Sequence, residues 1–159
     1  MKNIFKLFTI IAITAVIAFS MLSCDLDPGD DGVAKTLEIT SIPITGTDSL
    51  KEKLITVAFC DLDKNNKPVI RAFNQATVST ATVSLPLFSA KDNKKGEAFT
   101  GTGDYYIFIF VDVNNTNDNF NDDTTYYYTG GGQGAYKYNI KKGDAKISLE
   151  WSKFTKSNS

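Results

Sequence analysis

Histidine is absent from this 159-residue chain. Its absence excludes Ser-His-Asp and Cys-His catalysis, histidine-ligated zinc and imidazole acid–base chemistry. Arginine occurs once, at Arg71, and the only adjacent lysines are Lys94-Lys95 and Lys141-Lys142. With 17 cationic and 18 acidic side chains the net charge is −1 and no basic stripe forms, which disfavours nucleic-acid binding. Cysteine occurs twice, at Cys24 and Cys60. Cys60 ends the apolar run Ile55-Thr56-Val57-Ala58-Phe59-Cys60 and reads as a small buried side chain, not a nucleophile. The glycines of Gly101-Thr102-Gly103 and Gly130-Gly131-Gly132-Gln133-Gly134 open no helix, and no Gly-Lys-Ser/Thr follows them, so neither is a phosphate loop. Beyond Cys24 no stretch carries helical periodicity.

What is present begins with an export pattern. Lys2 and Lys6 supply a positive start, and 7–22 is apolar apart from Thr9, Thr14 and Ser20. Ser23 is a small residue just before Cys24. Residues 1–23 therefore read as a signal peptide. The four residues Met21-Leu22-Ser23-Cys24 resemble the lipobox of bacterial lipoproteins. They depart from the usual box in having Met21 for leucine and Leu22 for a small residue, and in this looseness the box is similar to those of spirochaete-type lipoproteins. The resemblance implies a diacylglyceryl group of the palmitate class on the Cys24 sulfur, cleavage before Cys24, and a place in the bacterial cell envelope. Each buried methylene contributes about 0.8 kcal/mol, and two chains anchor stably where one does not. Two other readings of the same residues stand beside it. Ala18-Phe19-Ser20 suits ordinary cleavage after Ser20. The uncleaved run would be a membrane anchor, short of the about 20 apolar residues that a span needs.

Residues 24–35 follow as the lipidated cysteine and a flexible, solvated acidic tether, with Asp25, Asp27, Asp30 and Asp31 among Pro28, Gly29 and Gly32. As a coil of about ten residues it spans roughly 18 Å. From Thr36 to Thr155 the pattern is that of strands. Leu37 and Ile39 alternate with polar neighbours, as do Ala81, Val83 and Leu85, and Ala145, Ile147, Leu149 and Trp151. Pro86 marks a strand end or an edge. The stretch 104–113 is apolar on both faces, which predicts a central strand covered on both sides, or one face left for a partner. Residues 91–103 read as a long polar loop, Phe154 as a residue closing the core, and 156–159 as a disordered tail. Seven to eight short strands separated by turn signals predict one all-β domain, an antiparallel β-sandwich. The closing Trp151-Ser152-Lys153-Phe154 is similar to that of small spirochaete-type lipoproteins, a resemblance that implies no activity.

Two groups of residues are candidates for binding. Asp112, Asn114, Thr116, Asp118 and Asp123 place oxygen side chains at the alternate positions and the end of a twelve-residue window. That spacing resembles an EF-hand calcium loop, with Asn117 at the glycine position and Asp123 for the bidentate glutamate. Flanking strands replace the helices of that motif, and an Asn/Asp-rich turn explains the same composition. Tyr126, Tyr127, Tyr128, Tyr136 and Tyr138 flank the glycine run and predict a hairpin with a tyrosine-rich face. Such a face suits a protein or glycan ligand, or packs across the strands. Paired carboxylates hydrolyse glycosides in other proteins, but no pair stands out here. The expected role is thus non-catalytic: binding or adhesion by a membrane-anchored domain. The alternatives are a structural or assembly component of the envelope and, last, an envelope hydrolase.

Overall fold

The period-two pattern does fold as strands. The computed structural model describes residues 29–90, 96–114 and 124–157; the signal peptide, Cys24, Thr116, Asp118 and Asp123 lie outside the described residues. Among the described residues ten strands run in the order β1 (Thr36–Thr40), β2 (Leu54–Leu62), β3 (Pro68–Thr77), β4 (Val83–Pro86), β5 (Phe88–Ser89), β6 (Gly103–Asp112), β7 (Thr124–Tyr128), β8 (Lys137–Ile140), β9 (Lys146–Glu150) and β10 (Phe154–Lys156). One 3-10 turn, Trp151–Lys153, links the last two. They form a three-stranded sheet, β4-β1-β9, packed on a seven-stranded sheet, β10-β7-β6-β2-β3-β5, in which β8 also pairs with β6. The architecture is the expected β-sandwich. Pro86 closes β4, an edge strand, where a missing N–H costs no ladder bond.

The core lies between the sheets. Leu37, Ile39, Val83, Leu85, Ile147 and Leu149 of the small sheet meet Ile55, Val57, Phe59, Ile107, Ile109 and Val111 of the large one. Each such side chain contributes about 1.5–3 kcal/mol on burial. Among the described strands the pairings are antiparallel except one: β1 runs parallel to β9, with Leu37 opposite Ile147 and Ile39 opposite Leu149. Nearly the whole domain separates these two strands in sequence, so no tight turn dictates their sense. A bulge between Phe59 and Cys60 inserts an extra residue in the β2–β3 ladder. The apolar run of β6 divides by face. Tyr105, Ile107, Ile109 and Val111 are fully buried in the core. On the opposite face Phe108 is buried with Ala58 and Cys60, while Tyr106, Phe110, Tyr127 and Ile70 around them are half-buried.

Two expectations change. The described part of the acidic tether, 29–35, is bonded to the body. Asp30 bridges to Gly101, Asp31 N–H donates to the Thr100 carbonyl, and Lys35 N–H donates to that of Phe99. The Lys35 ammonium is buried and donates to both Asp31 carboxylate oxygens, at 2.9 and 2.8 Å. The Gly143 N–H donates to the same carboxylate at 2.7 Å. With those donors Asp31 is pushed down to about 2, the Lys35 bond being the largest cause. Acidic composition suggested solvation; a lysine four residues on and a distant amide supply partners instead.

The second change concerns the tyrosine hairpin. β7 and β8 do not pair with each other. Both pair antiparallel with the same side of β6: Tyr127 opposite Phe108, then Tyr138 opposite Tyr105. They are one interrupted partner strand. Residues 129–136 leave it as a loop whose neck is closed by Tyr136 N–H donating to the Tyr128 carbonyl at 2.9 Å. Short loops of this kind, with ends held together, are frequent sites of function.

Candidate functional site

The loop 129–136 is built from its glycines and one threonine. Thr129 is buried; its N–H and its hydroxyl both donate to the Lys153 carbonyl, at 2.8 and 2.9 Å. Its oxygens then accept from the Gly131 and Gly132 N–H groups. Gly130 holds φ at +65°, and a Cβ there would stand 3.3 Å from the Tyr136 ring. Glycine therefore allows both the turn and the close seat of that ring.

The five tyrosines separate. Tyr126 packs on Trp151 at 4.8 Å between ring centroids. Tyr128 packs edge-on against Tyr138 at 5.8 Å and Phe154 at 5.6 Å. Burial pushes the phenols of Tyr126, Tyr128 and Tyr138 above their ordinary value, so they stay protonated at neutral pH. Tyr127 faces the other side of the sheet with Phe108 and Phe110. Only Tyr136 stands out, 64 % exposed. Packing within the fold thus accounts for four members of the set, and one ring remains available to solvent.

Beside that ring is an open groove of about 480 Å³ lined by Asp104, Tyr106, Tyr136, Lys137 and Asn139 and by Tyr128 and Tyr138, whose rings pack on the core side of the sheet. Asp104 and Asn139 sit opposite each other on β6 and β8, and the Asn139 amide donates to Asp104 Oδ1 at 2.7 Å. The Lys137 ammonium lies over the Tyr106 ring, 5.3 Å from its centroid. A cation in that position is drawn to the ring face. The groove therefore offers ring faces, one carboxylate, one amide and one ammonium. Asp104, Asn139 and Lys137 were not foreseen from sequence. The signal lay in the β6–β8 register, which no local pattern displays.

The calcium expectation falls mostly outside the described residues. Asp112 is buried at the end of β6 and Asn114 is exposed just after it. Between them the Val113 carbonyl accepts from the Lys53 ammonium at 2.7 Å. Among the described residues no cluster of three or more His, Cys, Asp or Glu side chains is arranged to hold a metal. Cys60 is buried, and desolvation pushes its thiol up to about 12; it carries no thiolate reactivity at neutral pH. Comparison with protein-family models, with curated proteins and with solved structures gave no significant match.

Proposed function

We propose that this chain is a non-catalytic binding protein, held at the bacterial cell envelope through acyl chains on Cys24, and that it binds through the groove beside loop 129–136. The observation that carries the reading is the exposed Tyr136 ring on a hydrogen-bonded loop at the rim of that groove. An exposed aromatic costs solvation and contributes nothing to the core, whereas on a loop tied by hydrogen bonds it offers contact area at low entropy cost. The absence of histidine and the inert Cys60 thiol support a role without turnover.

The anchor and the site are tested separately. Cys24→Ala is expected to abolish labelling by a fatty-acid analogue and to release the protein from membranes; unchanged labelling removes the anchor. For the site, ligand retained by the wild-type protein is expected to be lost from Tyr136→Ala. Equal retention by both removes the groove from the account. The calcium loop is a subordinate proposal. It requires millimolar calcium to raise the melting temperature, as an extracellular-type affinity of about 10⁻⁴ to 10⁻³ M would.

One observation favours a second reading, assembly within the envelope. The outer face of the large sheet carries Tyr106, Phe110, Tyr127 and Ile70 half-buried around Phe108, a surface suited to a protein neighbour. Crosslinking in membranes distinguishes it: a discrete adduct through this face supports assembly, and monomer throughout removes it.

A further inference from the structure

The groove's chemistry narrows its ligand, and the narrowing rests on the binding reading above. We propose that the groove takes a neutral pyranose unit of a glycan. Three features carry this.

The first is the pair Asp104 and Asn139. One Asn139 N–H is committed to Asp104 Oδ1. The carboxylate keeps acceptor capacity on both oxygens, and the amide keeps a second N–H and its carbonyl. Acceptors and a donor thus lie side by side. Neighbouring hydroxyls on a sugar ring each donate and accept, so they answer this arrangement. A backbone amide chain offers its donors and acceptors at a different, alternating spacing along an extended strand. The pair is also preset. Asp104 and Asn139 are register partners of two bonded strands, and strand-mounted groups hold their geometry better than loop-mounted ones.

The second is the rings. Tyr136 is exposed beside the groove, and Tyr106 lies half-buried on the sheet face that also carries Asp104, Lys137 and Asn139. A pyranose is amphipathic: its axial C–H face packs on an aromatic ring while its equatorial hydroxyls point to polar groups. The groove has that same division, the exposed Tyr136 ring beside the polar pair Asp104 and Asn139.

The third is charge. Asp104 brings one negative charge to the rim and Lys137 one positive, the latter seated over Tyr106. The rim is balanced, and the chain's single arginine, Arg71, is not among the groove's residues. A phosphorylated or carboxylated ligand would meet the Asp104 carboxylate with no surplus of positive charge in the groove, a like-charge contact that is costly, so the sugar is neutral. The volume, about 480 Å³, falls in the range of about 300–1,000 Å³ in which small ligands sit.

The test uses the full-length protein in a non-glycoside detergent. Maltohexaose, cellohexaose, mannohexaose and chitotetraose are titrated calorimetrically against wild type, Tyr136→Ala, Asp104→Ala and the remote control Lys64→Ala. At least one oligosaccharide is expected to bind saturably. Tyr136→Ala and Asp104→Ala are each expected to weaken it by about tenfold or more, with Lys64→Ala unchanged and melting temperatures alike across the set. Failure of all four sugars, or binding that survives in both groove variants, overturns the proposal. A phage-displayed random-peptide library is selected in parallel. Peptides that bind wild type and not Tyr136→Ala, with no sugar bound, overturn the glycan assignment and leave the binding site standing. Neither sugar nor peptide at the groove overturns both.

Discussion

Two aromatic clusters in this molecule invite comparison. Phe59, Phe99 and Tyr105 meet as a triangle with ring centroids 5.6 to 6.5 Å apart. Their edges are sealed: the Tyr105 hydroxyl donates to the Thr102 carbonyl, and a Cβ on Gly101 would stand 2.6 Å from the Phe99 ring and 2.7 Å from that hydroxyl. The second cluster, Tyr126, Tyr128, Tyr138, Trp151 and Phe154, is packed at similar distances. It differs at its border, where loop 129–136 carries Tyr136 out into solvent. Ring spacing is similar in both. What separates a core from a candidate site is how the backbone beside the rings closes, by an uninterrupted β6 in one and by an eight-residue detour in the other.

Four experiments sharpen or break that contrast. The largest effect is expected at Phe59, whose ring has no exposure. Phe59→Ala should cost about 3–5 kcal/mol, read as a drop in the urea midpoint. A cost below 1 kcal/mol would mean the triangle is loosely packed. Gly101→Ala comes next. Overpacking against Phe99 and Tyr105 should cost about 1–3 kcal/mol, and a neutral result would show the seal to be yielding. Third is acid. Asp31 is pushed down from 3.8 to about 2 by the Lys35 ammonium first and the Gly143 N–H second. A carboxyl lowered in the folded state stabilises above its unfolded value and loses that contribution as pH falls through the folded one. Stability should therefore decline from about pH 4 to pH 2, and less steeply in Asp31→Asn; parallel profiles would deny segment 29–35, the strap that holds Asp31, its role. The smallest effect is expected at the open cluster's rim. Tyr136→Ala should change stability by about 0.5 kcal/mol or less, and a larger loss would make Tyr136 part of the core.

Much of the fold was legible in the sequence because burial on one face writes a period of two. β1, β2, β6 and β9 could be placed from Leu37 and Ile39, Ile55 to Phe59, Tyr105 to Val111, and Ile147 and Leu149. Strands as short as β5 and β10, two and three residues, are below the length at which alternation can be seen. The polar end of β3, Asn74 to Thr77, is invisible for a different reason: only Ala76 of the four packs on the core. The glycine run between two tyrosine-rich stretches is the ordinary hairpin signal. Nothing local reveals that both flanks pair with β6 instead of with each other. The strap at 29–35 was misread on the same ground, since the partners of Asp31 include Gly143. The tyrosines were correctly singled out, but Asp104, Lys137 and Asn139 join them only through register, a long-range property.

The parallel seam between β1 and β9 has a temporal consequence. Thr40 reaches across it to the Leu149 carbonyl, 109 positions later. During synthesis the first strand is therefore made long before the neighbour that completes its sheet. Contacts this distant slow the closing of a chain, and the waiting edge, Thr36–Thr40, must be kept from pairing elsewhere until the last segment arrives.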